Sequence, residues 1–306
     1  MPTYGIGEAI RAMRIRCGYT QEELAYGICT TGTLSKIENG KSITSKRVFE
    51  ALSGRMMGLH HVCISCDTEQ EMQRSKLCKQ TLMYLEQRKM EDAERVMQEY
   101  SQLKDEKNPF CQQFVLYTQA IYQAIKKERE EEILPKLQQA LEQTMPNSAT
   151  LFRKRKIILL TYDEIYILSN LGIAYSKNKE TEKAFYILHY LKYYIEQQKL
   201  DMTESLKVYP MILGNFAWIL ERHGRFEEAV RHCDAGIEVC LMTGKYTILP
   251  HLLCTKAWSL AASGNLAMAK KCRMQAKTIL GITEQYCGYG SFQEFYKARE
   301  PIYVTF

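Results

Sequence analysis

The C-terminal half of the chain repeats itself at a spacing of about 40 residues. Asn215 and Ala229 each have a counterpart 45 positions earlier, at Asn170 and Ala184. A second set recurs after 40 positions: Ala217-Trp218, Gly224 and Ala229 return as Ala257-Trp258, Gly264 and Ala269. A period of this length is typical of arrays built from one small structural unit. The small residues let paired helices approach closely, so the pattern predicts stacked helix pairs.

The repeated segments resemble the tetratricopeptide (TPR) repeat. Residues 170–175 read NLGIAY, and a small residue, Ala184, follows as in that family. Residues 85–96 and 110–141 resemble weaker copies. We expect about five helix pairs over residues 71–282, and a C-terminal capping segment over 283–306. The resemblance implies a right-handed α-solenoid, and units longer than the TPR consensus indicate strong curvature.

The composition agrees with an all-α protein. Among the 306 residues, 46% are hydrophobic and 25% are charged, as in ordinary globular domains. Helix-forming residues dominate, and we find no segment apolar enough for a signal peptide or membrane span. We therefore expect a cytoplasmic protein without membrane contact, and interpret the eleven scattered cysteines as buried thiols. No catalytic motif is present, so we predict neither an enzyme nor a cofactor.

The first sixty residues predict a separate helical bundle. Thr20 with Glu23 has the spacing of a capping box at the start of a helix. A second short helix is predicted from Thr31 to Glu38, and it ends at Asn39-Gly40. Two short helices joined by a tight turn form a helix-turn-helix. We expect this domain over residues 1–60 and a linker over 61–70.

Residues 20–41, TQEELAYGICTTGTLSKIENGK, resemble the phage-repressor-like (XRE/Cro) DNA-binding family. The similarity is greatest to its peptide-sensing PlcR/Rgg (RRNPP) branch. This resemblance implies a transcription regulator that binds a palindromic operator as a homodimer. Residues 1–58 carry eight basic and five acidic side chains, a balance that permits phosphate binding.

The resemblance also assigns roles to single positions. The implied DNA contacts are Gln21, Thr31, Gly32, Ser35, Lys36, Asn39 and Lys41. Lys36 is the favoured base contact, whereas Thr31 and Ser35 could equally be solvated. Arg14 and Glu38 match positions that form a buried ion pair in some members. Lys46 and Arg47 could add phosphate contacts or simply face water.

For the repeat domain, the resemblance implies a concave groove that holds a short peptide. The implied lining residues are Tyr166, Asn170, Ile173, Lys177, Asn215, Trp218, Arg222, His251 and Thr255, with Gly214 and Trp258 beside them. Asn170 and Asn215 are favoured, because an amide offers a peptide backbone both a donor and an acceptor. We expect these amides to be exposed to the groove. Alternatively, the asparagines brace neighbouring helices and the tryptophans belong to the core.

Three further alternatives remain open at the sequence level. His60, His61, Cys63 and Cys66 have metal-ligating side chains, but a linker with incidental soft residues is favoured, so we predict no metal. The aromatic C-terminal tail could cap the last repeat or occupy a groove, and a cap is favoured. The alternative function is a DNA-tethered protein–protein interaction module with no peptide ligand.

Overall fold

The computed structural model describes residues 6–57, 68–103, 108–128, 130–146, 148, 160–197, 202–244, 246–287 and 291–303. All regular secondary structure within these ranges is helical, which confirms the all-α prediction. None of the helices described is both long and apolar enough to cross a membrane.

The N-terminal domain is a small helical bundle. Its helices are α1 (Ile6–Arg16), α2 (Gln21–Ala25), α3 (Thr31–Glu38) and α4 (Lys46–Met57). Both short central helices begin at a threonine cap, and Thr20 with Glu23 forms the predicted capping box. Apolar side chains from all four helices meet in one core, which includes Ile10, Leu24, Leu34, Ile37 and Leu52. One face of α3 therefore packs in the core of the domain, and its opposite face lies at the surface.

Five helix pairs follow in the described part of the chain, as the repeat pattern predicts. They are α5 (Glu69–Glu86) with α6 (Met90–Leu103), α7 (Pro109–Lys126) with α8 (Glu130–Glu142), α9 (Tyr162–Lys177) with α10 (Thr181–Gln197), α11 (Met202–Arg222) with α12 (Phe226–Thr243), and α13 (Leu249–Ala262) with α14 (Leu266–Cys287). A short helix, α15 (Phe292–Ala298), follows the last pair.

Small residues set the close packing within the pairs. Ala184, Ala217 and Ala229 are fully buried. A Cβ atom added to Gly172 would lie 3.0 Å from Cγ of Leu188, so α9 and α10 are in near contact there. These small residues are the positions that define the repeat in the sequence. They are small because the paired helices approach each other closely there.

Polar contacts join the two domains. Arg55 on α4 forms an ion pair with Glu164 on α9, with 3.1 Å between Nη2 and Oε1, and both side chains are fully buried. The Tyr26 hydroxyl donates a hydrogen bond to the Pro146 carbonyl at 2.5 Å. The helix-turn-helix region is thus attached to the middle of the repeat array.

Candidate functional site

The recognition-type helix α3 presents one polar face and one apolar face. Leu34 and Ile37 are buried in the domain core, as predicted. On the opposite face, Thr31, Gly32 and Lys36 are exposed and Ser35 is half-buried. A helix held in this way can enter the DNA major groove with its polar side chains towards the bases.

Asn39 and Lys41 follow the end of α3, and both are exposed. The Asn39 amide donates a hydrogen bond to the Ser35 carbonyl at 2.8 Å, so it completes the last turn of the helix. The same nitrogen lies 3.4 Å from Oγ of Ser35, so the Asn39 side chain holds the end of α3 in place.

The ion pair beneath α3 is present. Arg14 donates to both carboxylate oxygens of Glu38, with distances of 2.6 and 2.9 Å. The Gln21 amide also donates to Glu38, at 2.8 Å. Burial alone would raise the pKa of Glu38, but the hydrogen bonds from Arg14 and Gln21 hold it below its ordinary value. The Gln21 side chain therefore helps to position α3, a role that the sequence did not suggest.

Two sets of sequence predictions lie outside what the structure describes. The side chains of Lys46 and Arg47 are among them. So is the stretch with possible metal ligands, His60, His61, Cys63 and Cys66. In the ranges described, no group of three or more His, Cys, Asp or Glu side chains is arranged to hold a metal ion.

In the repeat domain, the two favoured asparagines bind the main chain of the protein's own C-terminal segment. The Asn215 amide nitrogen donates to the Ile302 carbonyl at 2.9 Å, and its oxygen accepts from the Ile302 N–H at 2.8 Å. The Asn170 amide donates to the Tyr303 carbonyl at 2.9 Å. Both asparagines are buried, so the expected exposure to an open groove is wrong: the tail covers them.

The bracing alternative also has support. The Asn215 amide nitrogen lies 3.0 Å from Oγ of Ser169, on the neighbouring repeat. The Asn170 amide nitrogen also donates to the Tyr166 carbonyl on its own helix. The same amide groups therefore connect helices and hold the tail.

The remaining predicted groove residues, apart from Arg222, fall into two groups. Trp218 and Lys177 contact the tail: the indole N–H donates to the Arg299 carbonyl at 2.8 Å, and the lysine Nζ lies 5.8 Å from the Tyr303 ring centroid. His251 packs edge-on against Phe295 of α15 at 4.7 Å. Three others, Tyr166, Ile173 and Thr255, are buried.

The tail reaches beyond the last repeat. Helix α15 rests on α13, where Trp258 meets Tyr296 with ring centroids 5.4 Å apart. Residues 299–303 then leave the helical conformation and contact α11, α9 and α7. The favoured capping interpretation thus describes α15 alone, because Ile302 and Tyr303 are buried beside earlier helices of the array, α11, α9 and α7.

Several tail contacts were not anticipated from the sequence. The Tyr117 hydroxyl on α7 donates to the Tyr303 carbonyl at 3.4 Å. Glu300 pairs with Arg88 and with Lys127, the latter at 3.1 Å. Arg299 pairs with Glu221 on α11. The sequence shows only that these side chains have opposite charges. Charge alone does not reveal which residues pair when they are far apart in the sequence.

An open cleft adjoins the tail where it leaves α15. Its volume is about 610 Å³. The residues around it are Glu221, Arg222, Gly224, Phe226, Trp258, Ala261, Ala262 and Arg299. Arg222 stacks over the Trp218 ring, with its guanidinium carbon 4.8 Å from the centroid. This predicted groove residue therefore lies at the edge of the occupied groove and next to free space.

Comparison with known proteins identifies the N-terminal domain. The helix-turn-helix family model matches residues 10–55. Residues 10–55 are a helix-turn-helix domain. Among curated proteins, no sequence matches the chain significantly.

Solved structures match the helix-turn-helix protein over nearly its whole length. Bacillus thuringiensis PlcR, in complex with the peptide PapR7 and DNA, has a TM-score of 0.60 at 18% identity, covering 96% of this chain and 98% of that one. S. thermophilus ComR, in complex with DNA and its signalling peptide ComS, has a TM-score of 0.54 at 15% identity, covering 96% and 99%. At such low identity the likeness shows the fold: a helix-turn-helix domain joined to helical repeats.

Proposed function

We propose that the protein is a DNA-binding transcription regulator whose repeat domain binds a short peptide. The observation that carries this proposal is the pairing of Asn215 with both the N–H and the carbonyl of Ile302. A side chain in this position satisfies the main chain of a bound segment whatever its sequence. PlcR and ComR, which share the fold, have been crystallised with peptides and DNA.

The groove also offers selectivity. Gly214 lies beside Asn215, and a Cβ atom added there would lie 2.6 Å from Cδ1 of Ile302. The absence of a side chain at this position makes room for one aliphatic side chain of a bound segment. Backbone pairing with Asn215 and the space at Gly214 together form a site for a peptide with one large aliphatic side chain at that position.

On the DNA side, the proposed contacts are the exposed residues of α3 and its C-terminal end, with Lys36 reading base edges. A single recognition helix covers few base pairs, so we propose a homodimer on a palindromic operator in the cytoplasm. Exposed apolar side chains in the last two helix pairs support a second-copy interface. They are Leu241, Met242, Tyr246, Leu266, Met268, Met274 and Ile282.

One experiment tests both halves of the proposal. The purified protein is used to select binding sites from random duplex DNA. The selected DNA is then titrated in the presence of a pool of synthetic octapeptides that each contain an isoleucine or a leucine. We expect selection of a palindrome, and a change in DNA affinity of at least tenfold with some of the peptides.

Asn170→Ala should weaken the peptide effect about tenfold, the loss expected for one hydrogen bond. Asn178→Ala is the matched control, because Asn178 is exposed at the end of the same helix. If no peptide changes DNA binding, and a folded protein partner does so instead, the peptide-sensing function is wrong and the interaction-module alternative is correct.

A further inference from the structure

We propose that residues 299–303 are an internal ligand of the groove, which an external peptide must displace. The nature of that external ligand rests on the proposed function above. The proposal itself rests on what the tail touches: Asn170, Asn215 and Trp218, three of the residues predicted for peptide binding, each donate a hydrogen bond to its main chain.

The main-chain contacts have the form of a bound peptide. Three carbonyls of the tail, those of Arg299, Ile302 and Tyr303, accept hydrogen bonds from side chains of α11 and α9. Arg299 and Ile302 bind α11, Tyr303 binds α9 and α7, and Glu300 pairs with Arg88 and Lys127, so five residues of the tail contact four helix pairs. Side chains supply these bonds in place of a helix or a sheet, which is how a groove holds an extended ligand.

The side chains of the tail define a register. Ile302 packs against Gly214, and Glu300, two positions before it, lies between Arg88 and Lys127. An external ligand of the same class would therefore be an extended peptide with a carboxylate two residues before a large aliphatic residue. This order of side chains follows from the positions of Gly214 and the two cations.

The fit of the tail is incomplete, which makes it replaceable. Among the described residues, the side-chain oxygen of Asn170 is buried without a hydrogen-bond partner. Leaving a buried acceptor unsatisfied is unfavourable. A peptide that brings an N–H to this oxygen would bind better than the tail does. The open cleft beside Arg299 gives such a peptide a place to start.

The test uses the full-length chain and a fluorescent synthetic peptide with the sequence of residues 299–306, REPIYVTF. In the wild type the groove is filled, so the peptide should bind weakly. Ile302→Asp places a charge in the apolar pocket at Gly214 and should release the tail. We expect this variant to bind the peptide at least tenfold more tightly than the wild type, as measured by fluorescence anisotropy.

Two controls accompany the measurement. Gln293→Ala changes an exposed residue of α15 and should bind the peptide as weakly as the wild type. A peptide in which the isoleucine is replaced by aspartate should not bind the Ile302→Asp chain.

Because Ile302 is buried, its substitution could unfold the protein. Glu300→Lys removes the ion pairs with Arg88 and Lys127 and leaves Ile302 unchanged. It gives the same test, and its melting curve verifies that the chain is folded.

Equal peptide affinity in the wild type and in the folded Glu300→Lys variant would overturn the proposal. Failure of the proposed function looks different. If the tail peptide binds the variants tightly but no octapeptide changes DNA binding, the internal ligand stands and peptide sensing fails. If octapeptides act, but bind wild type and variants equally, sensing stands and the internal ligand is wrong.

Discussion

Individual polar side chains have several partners in this protein. Glu38 accepts hydrogen bonds from Arg14 and from Gln21, and Asn215 contacts both Ser169 and Ile302. A sequence indicates that such residues are polar and where they lie on a helix. It does not indicate whether the partner is a ligand, a neighbouring repeat or another part of the chain. For Asn215 the partners are the latter two.

The ion pair under the recognition helix allows a stability prediction. Glu38→Gln should lower the free energy of unfolding of the N-terminal domain by about 3 kcal/mol, because Arg14 then loses its partner in a mostly buried position. The Arg14 side chain is 12% exposed, which places the loss at the low end for buried pairs. Chemical denaturation followed by circular dichroism measures it.

Arg16→Ala serves as the control for Glu38→Gln, because this exposed arginine lies on the same helix as Arg14. It should change stability by less than about 0.5 kcal/mol. If the two variants are equally stable, the ion pair does not hold α3 in place.

His251 predicts a pH dependence. Burial, with a smaller effect from Arg88, lowers the pKa of His251 to about 4, whereas an unfolded histidine titrates near 6.5. Between these values the unfolded chain binds the extra proton, so stability falls as the pH decreases from 7 to 5. The contribution of this residue should be about 1–2 kcal/mol at pH 5.

The measurement for His251 is the difference in unfolding free energy between pH 7 and pH 5, in the wild type and in His251→Gln. The variant should lose less stability on acidification. The corresponding substitution of His223, an exposed histidine, is measured as the control. An identical loss in wild type and His251→Gln would contradict the prediction.

At the scale of elements, the proposed role of α3 in DNA recognition leads to a prediction for Lys36. Lys36→Ala should weaken binding to the selected operator by about 1–3 kcal/mol and relax the base preference at one position of each half-site. Gel-shift titration on operator variants measures both effects. Lys79→Ala, an exposed lysine of α5, is the control and should have neither effect. Unchanged affinity and preference would exclude Lys36 from base reading.

The elements were predictable because their signals are local. The bounds of α3, Thr31 to Glu38, follow from the residues that begin and end it. The helix pairs follow from small residues at regular spacing. The binding of the tail in the groove was not predictable, since Ile302 lies 87 positions from Asn215 in the sequence. No periodicity connects residues so distant in sequence, and the tail has no repeated pattern of its own.

At the scale of the whole molecule, the buried pair of Arg55 and Glu164 fixes the helix-turn-helix domain on the repeats. Arg55→Met and Glu164→Leu should each lower the free energy of unfolding by about 3–5 kcal/mol, since each leaves a buried charge unpaired. The double variant should lose less than the sum of the two. A double-mutant cycle in chemical denaturation measures this coupling.

Strictly additive effects of Arg55→Met and Glu164→Leu would show that the two side chains do not stabilise each other. The pair was not predictable from the sequence, because its members are 109 positions apart and belong to different domains.

The path of the tail changes how the array as a whole can come apart. In an open solenoid each unit touches its immediate neighbours, so the end units can fray independently. Here Glu300 and Tyr303 connect the far end of the chain to Arg88, Lys127 and Tyr117, in the first two helix pairs. The tail therefore connects the last helix pair directly to the first two. While the tail is bound, we expect the amide hydrogens of the first and last helix pairs to exchange with solvent at similar rates. Once the tail is released, the two regions should exchange at different rates.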